Sequence, residues 1–153
     1  VMVVFNWEFD KIVAAFIIAT GAAALGMEVT MFFTFWATSV LKKKRPSGVK
    51  HKDFFRMMFS LMMKRGTKWL AASNFNFLGM GPLIYRYLMK KDGVTSLEDL
   101  VELAFEMEID MQICEMSKDL LGICNEELIA DFPKVGVAAF IENASNARIV
   151  LFI

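Results

Sequence analysis

Two thiols are the residues of this chain best suited to covalent chemistry. Cys114 and Cys124 stand ten positions apart, there is no CxxC pair, and the one histidine, His51, sits among lysines where solvation is the ordinary outcome. Structural zinc takes four cysteine or histidine ligands, so no metal site is expected. A disulfide framework is equally foreign to a chain of 153 residues with 56% hydrophobic content, which builds its stability from a core instead. No Walker loop, no GxGxxG after a strand and no carboxylate pair of defined spacing is present, so no cofactor is expected.

Cys114 closes an apolar run, residues 109–114, and opens a polar turn, Glu115-Met116-Ser117, that leads into a short helical stretch at 115–120. N–H groups at a helix start stabilise an anion, which favours a thiolate there. Ser117 can add a hydrogen bond, and Glu115 opposes by like charge unless it points to solvent. Two readings stand for Cys114: a reactive thiol, or a small buried residue without chemistry. Cys124 follows Gly122 and precedes a short helix expected at 126–130 with Asn125 as its cap; it is either a resolving or relay thiol or an apolar filler under the sheet.

These residues need elements to position them. Residues 1–5 are a continuous apolar, β-branched run, the mark of a strand covered on both faces, and the run ends at Asn6. From about residue 8 or 10 to 25, Ile12, Val13, Phe16, Ile17 and Ala24 recur at helical spacing, and Gly26 supplies the stop. Residues 28–35 read EVTMFFTF, a second strand that carries Thr34 near its end. Pro82 fits the first turn of a helix reaching Lys91, after a loop at 76–81. Ser96 to Asp99 form a capping box for a helix whose buried stripe is Leu97, Leu100, Val101 and Ala104. A strand at 109–114, a last helix at 135–146 and a last strand at 148–153 complete a single α/β domain. Its sheet is doubly wound, mainly parallel, of four to five strands with helices on both faces. Ligands collect beyond the carboxyl ends of such strands. That places Asn6, Thr34 and Ser117 around Cys114 as candidate substrate-binding residues.

Residues 41–72 form an irregular basic insertion around Pro46, Gly48 and Gly66. Within it a helical run at 52–64 carries Met57, Met58, Met62 and Met63 with Phe54, Phe55 and Phe59. Methionine adapts to irregular partners, so an oligomer contact or lid stands beside plain core filling; contact with a membrane surface is the weaker reading. Ten Lys or Arg lie between residues 42 and 68 against one acid, and twelve acids between 92 and 131 against one lysine, within a net charge of zero. That asymmetry suits charged partners or self-assembly, or simply two solvated faces. LKKKRP at 41–46 lacks interleaved aromatics, so nucleic acid is not an expected partner. Residues 12–41 hold a single charge, Glu28, over a span long enough to cross a membrane. Gly21, Gly26 and the change to strand-forming residues divide it into helix, turn and strand. With no basic leader before a cleavage site, a cytoplasmic location is expected.

The string AAALGMEVTMFFTFW at 22–36 resembles the signature of the DsrE/DsrF/DsrH-like family. Gly79-Met80-Gly81-Pro82, Ser96-Leu97-Glu98, Cys114-Glu115-Met116-Ser117 with Gly122 and Glu127, and Leu151-Phe152-Ile153 follow in matching order over nearly the whole chain. The resemblance implies a small parallel, flavodoxin-like α/β fold, usually in homo-oligomers. It also implies a sulfur carrier or sulfurtransferase that holds a persulfide or thiosulfonate on the cysteine of the C-x-M-S motif, here Cys114, and passes it to a TusA-like or rhodanese-like partner. The chain departs from the pattern at Trp7 and Phe9, bulky where relatives have small polar residues, at Lys118, and at Glu108, where glycine is common. Two other functions remain in view: a non-catalytic assembly or binding protein with an inert Cys114, and a thiol redox protein using Cys114 and Cys124.

Overall fold

The computed structural model describes residues 1–43, 58, 66, 67, 70, 71 and 80–153. The methionine-rich run at 52–64, apart from Met58, and His51 lie outside the described residues, as does most of the basic insertion.

Among the described residues, five parallel strands form one sheet in the order β4-β3-β2-β1-β5: β1 (Met2–Val4), β2 (Thr30–Phe33), β3 (Asp110–Cys114), β4 (Lys134–Val135) and β5 (Leu151–Phe152). Parallel pairing requires crossovers, and the helices supply them: α1 (Phe9–Ala24), α2 (Met80–Lys91), α3 (Leu97–Glu106), α4 (Glu115–Leu120) and α5 (Val137–Ser145). Register aligns Val4 with Phe33 and Phe33 with Ile113, so the carboxyl ends of the three inner strands lie level.

Side chains alternate between the two faces of a strand. Met2, Val4, Met31, Phe33, Met111 and Ile113 enter the main core with Ile12 and Phe16 of α1 and the Leu97, Leu100, Val101 and Ala104 stripe of α3. Phe32 and Cys114 point to the opposite face, where they meet Phe140 of α5. The α3 stripe is as expected, and Ser96 caps that helix by accepting from the Asp99 N–H at 3.2 Å.

Several boundaries differ from the sequence reading. The last helix does not begin at residue 135: Lys134 and Val135 pair with Ile113 and Cys114 as β4, and Gly136 caps α5. A two-residue strand has no periodicity to read, so helical spacing from its neighbours overran it. The expected helix at 126–130 is a 3-10 turn, Asn125–Glu127, and its cap is Cys124 rather than Asn125. The β-like string at 28–35 stops at Phe33, and residues Phe35–Leu41 form a buried 3-10 helix. Pro82 lies two residues inside α2, which starts at Met80.

Three of the described helices, α1, α3 and α4, end alike. After α1, the Gly26 N–H donates to the Ala23 carbonyl at 2.9 Å and the Met27 N–H to the Ala22 carbonyl at 3.1 Å, with Gly26 at φ 76°. This pair of bonds needs a left-handed residue just past the helix, normally glycine. After α3 that residue is Glu108, at φ 53°, with the matching bonds from Glu108 to Phe105 and from Ile109 to Ala104. A glycine, which the resemblance leads one to expect at 108, would hold this conformation without strain.

Candidate functional site

The carboxyl ends of β1, β2 and β5 are tied together by backbone bonds: Thr34 N–H donates to the Val4 carbonyl at 3.0 Å, Ala37 N–H to Phe5 at 3.2 Å and Phe5 N–H to Ile153 at 2.7 Å. Cys114 is the last residue of β3 and the cap of α4, with φ −63° and ψ 114°, and its side chain makes no capping hydrogen bond. It is 1% exposed. Its neighbours are Phe32 and Phe140, whose rings stack at 4.4 Å between centroids, with Val3, Val135 and Ala144 alongside. The thiol therefore rests in a buried, apolar setting on the α5 side of the sheet. Glu115 faces solvent.

Thr34 and Ser117, both buried, meet each other: their hydroxyl oxygens lie 2.8 Å apart. The bond joins the end of β2 to the first turn of α4, so these two candidates share one contact. Asn6, half-buried, follows β1 at the same edge of the sheet, and its N–H reaches Ile153 carbonyl at 3.4 Å.

Cys124 sits elsewhere. It is half-buried at the start of the 125–127 turn, where its sulfur accepts from the Glu127 N–H and its own N–H donates to the Glu127 carboxylate at 3.0 Å. Both cysteines are free thiols. Glu127 also faces Lys42 at 3.8 Å, with both side chains almost fully buried. Lys42 bridges Leu128, and the Lys43 N–H donates to the Glu127 carbonyl at 2.7 Å, so the segment after β2 is fastened to the segment after α4. Sequence reading missed this pair, because a lysine inside a basic run looks solvated.

Aromatic rings crowd the same edge. Trp7 and Trp36 lie 5.8 Å apart, and Phe5 touches both Phe35 and Phe152 at 5.6 and 5.9 Å. Phe35 holds φ 45°, a strained position for an aromatic residue, immediately after Thr34. The bulky Trp7 is thus a packing partner for Trp36. Among the described residues no group of three or more His, Cys, Asp or Glu is arranged to hold a metal, and no helix is long and apolar enough to cross a membrane.

An edge of this kind, with one cysteine at a strand end, can be set beside known proteins. The crystal structure of the ychN protein from E. coli superposes with a TM-score of 0.54 over 99% of this chain and 97% of that one, at 11% identity, which establishes a shared fold. An uncharacterized protein of Bacillus subtilis, YrkE, is 43% identical over 152 residues, 99% of this chain and 94% of its own length. The Sulfur carrier protein DsrE2 of Allochromatium vinosum is 37% identical over 148 residues, 97% of this chain and 91% of its own. With the family's sequence pattern matching residues 1–152, the chain belongs to the DsrE/DsrF/DrsH-like family.

Proposed function

We propose that this chain is a sulfur-relay protein whose carrier group is the Cys114 thiol. The observation that carries the reading is the position of Cys114 at the carboxyl end of β3, opening the turn into α4, in a chain 37% identical to a protein named as a sulfur carrier. The Cys114 thiolate attacks the outer sulfur of a donor R–S–SH. The donor S–S bond breaks, RS⁻ leaves, and Cys114–S–SH remains. An acceptor thiolate then attacks that outer sulfur and the Cys114 thiolate is released. With a donor such as tetrathionate the same attack displaces thiosulfate and leaves a thiosulfonate on Cys114. The acceptor is a partner thiol of the TusA-like or rhodanese-like kind, and the working unit is a homo-oligomer in the cytoplasm. Asn6, half-buried just after β1 at the same edge of the sheet, is assigned with Thr34 and Ser117 to substrate binding.

Intact mass after incubation with polysulfide, thiosulfate or tetrathionate tests this, using the unaltered chain with Cys114→Ser and Cys124→Ser. A sulfur adduct abolished by Cys114→Ser and kept by Cys124→Ser is the expected result. A loss of two hydrogens that needs both cysteines would instead indicate the redox reading.

A second reading has its own observation in favour. A thiol 1% exposed and packed against Phe32 and Phe140 is how an inert core cysteine sits. In that case the chain is an assembly or binding protein, no donor changes its mass, and Cys114 resists alkylation until the protein unfolds.

A further inference from the structure

Transfer from Cys114 requires an attacking or accepting sulfur to reach it, and in this structure nothing of that size can. The question is what holds the thiol in its inward direction. Cys114 is paired with Val135 at the end of β3 and also caps α4, so the strand sets the face to which the thiol points and the placement of the first turn of α4 sets how firmly the residue is held there. A helix of six residues does not hold itself together in water. Its placement must come from tertiary contact, and its one buried side chain is Ser117; Met116 and Leu120 are 57% and 60% exposed. The side-chain partner of Ser117 is Thr34, at 2.8 Å and buried, 83 positions away in the chain. Thr34 is the fixed side of this contact: its N–H is bonded to Val4, and Phe33 before it is paired with both neighbouring strands.

We infer that Thr34 is a positioning residue for Cys114 that acts through Ser117. Their hydrogen bond pins the first turn of α4 and so keeps the thiol packed against Phe32 and Phe140, and breaking it is the step that presents the thiol to a partner. The role assigned to this opening rests on the reading of Cys114 as the carrier group. A single neutral hydrogen bond suits such a device, because its modest net strength leaves the open form thermally reachable.

The test is native-state alkylation of Cys114 in a Cys124→Ser background, which uses no sulfur donor. Thr34→Val should raise the rate about tenfold, the factor that losing one such bond produces in a local opening equilibrium. Thr34→Ser, which keeps the hydroxyl, should return the rate to that of the parent. Thr20→Val is the control: it removes an equally buried hydroxyl, bonded to the Phe16 carbonyl at 2.8 Å on α1, and should leave Cys114 as slow as before. Equal rates in Thr34→Val and the parent, a matching rise in Thr20→Val, or no rescue by Thr34→Ser would each overturn the inference. Should Thr34→Val fail to fold, hydrogen exchange on the Cys124→Ser protein decides. Amides of residues 115–120 opening with the same free energy as Cys114 alkylation support the inference, and Cys114 reacting only through global unfolding refutes it. A chain that passes while taking up no sulfur loses only the carrier role; one that takes up sulfur on Cys114 but fails here loses only the positioning role.

Discussion

Two residues carry conformational or packing roles that can be measured apart from function. Glu108 pays the steric cost of φ 53° at a position where the backbone bonds of the α3 terminus demand a left-handed residue. Glu108→Gly is expected to stabilise the fold by about 0.5–1 kcal/mol, seen as a higher urea midpoint at unchanged slope. Phe140 closes the pocket over Cys114 by stacking on Phe32. Phe140→Ala should cost about 3–5 kcal/mol, as large-to-small core changes do, and should speed Cys114 alkylation beyond what that loss of global stability alone produces. Cys114 itself was legible as the candidate thiol, since a strand-like run followed by a polar turn marks a strand end. Its aromatic cover was not, because Phe140 reaches it from a helix 26 residues downstream, a distance that strand and helix periodicities do not bridge.

At the scale of elements, α2 and α3 are joined by a charged cluster. Arg86 donates to both carboxylate oxygens of Glu98, at 3.1 and 2.9 Å, and to the Thr67 carbonyl at 2.7 Å, while the Thr67 hydroxyl also donates to Glu98 at 2.7 Å. Burial pushes the Glu98 carboxyl up, but the hydrogen bonds from Arg86 and Thr67, its own backbone and the Arg86 charge outweigh it and hold the group below its ordinary 4.5. A carboxyl lowered in the folded state binds fewer protons there than in the unfolded chain. Its contribution is therefore complete above the ordinary value and is lost as pH falls through the lowered one. Glu98→Gln should remove that part of the acid-side loss and cost on the order of 1 kcal/mol at neutral pH, checked by urea unfolding across the acid range. The main elements were readable where periodicity ran long: α1, α3 and β3 lie close to their expected places. Reading failed where an element is two or three residues long, as in β4 and the 125–127 turn, or where strand-forming residues continue past the strand, as in Phe35–Leu41.

Across the whole molecule, distant parts of the chain meet at the Lys42–Glu127 pair, which anchors the segment after β2 against the segment after α4. Removing one member takes away the other's buried opposite charge, so Lys42→Met should destabilise by about 3–5 kcal/mol, whereas Lys42→Met with Glu127→Leu should recover most of that loss. A double-mutant cycle in urea measures the difference. The sheet has a separate consequence for behaviour in concentrated solution. Its two outermost strands, β4 and β5, are two residues long, and β4 is preceded by Pro133, which has no N–H to offer, and begins with a lysine. Strand-to-strand fibre growth recruits runs of about six or seven residues from an open edge. Edges this blunt present too few free backbone groups to template a neighbour, so the chain can keep β-branched, aromatic strands at its centre without seeding cross-β aggregation from its rims.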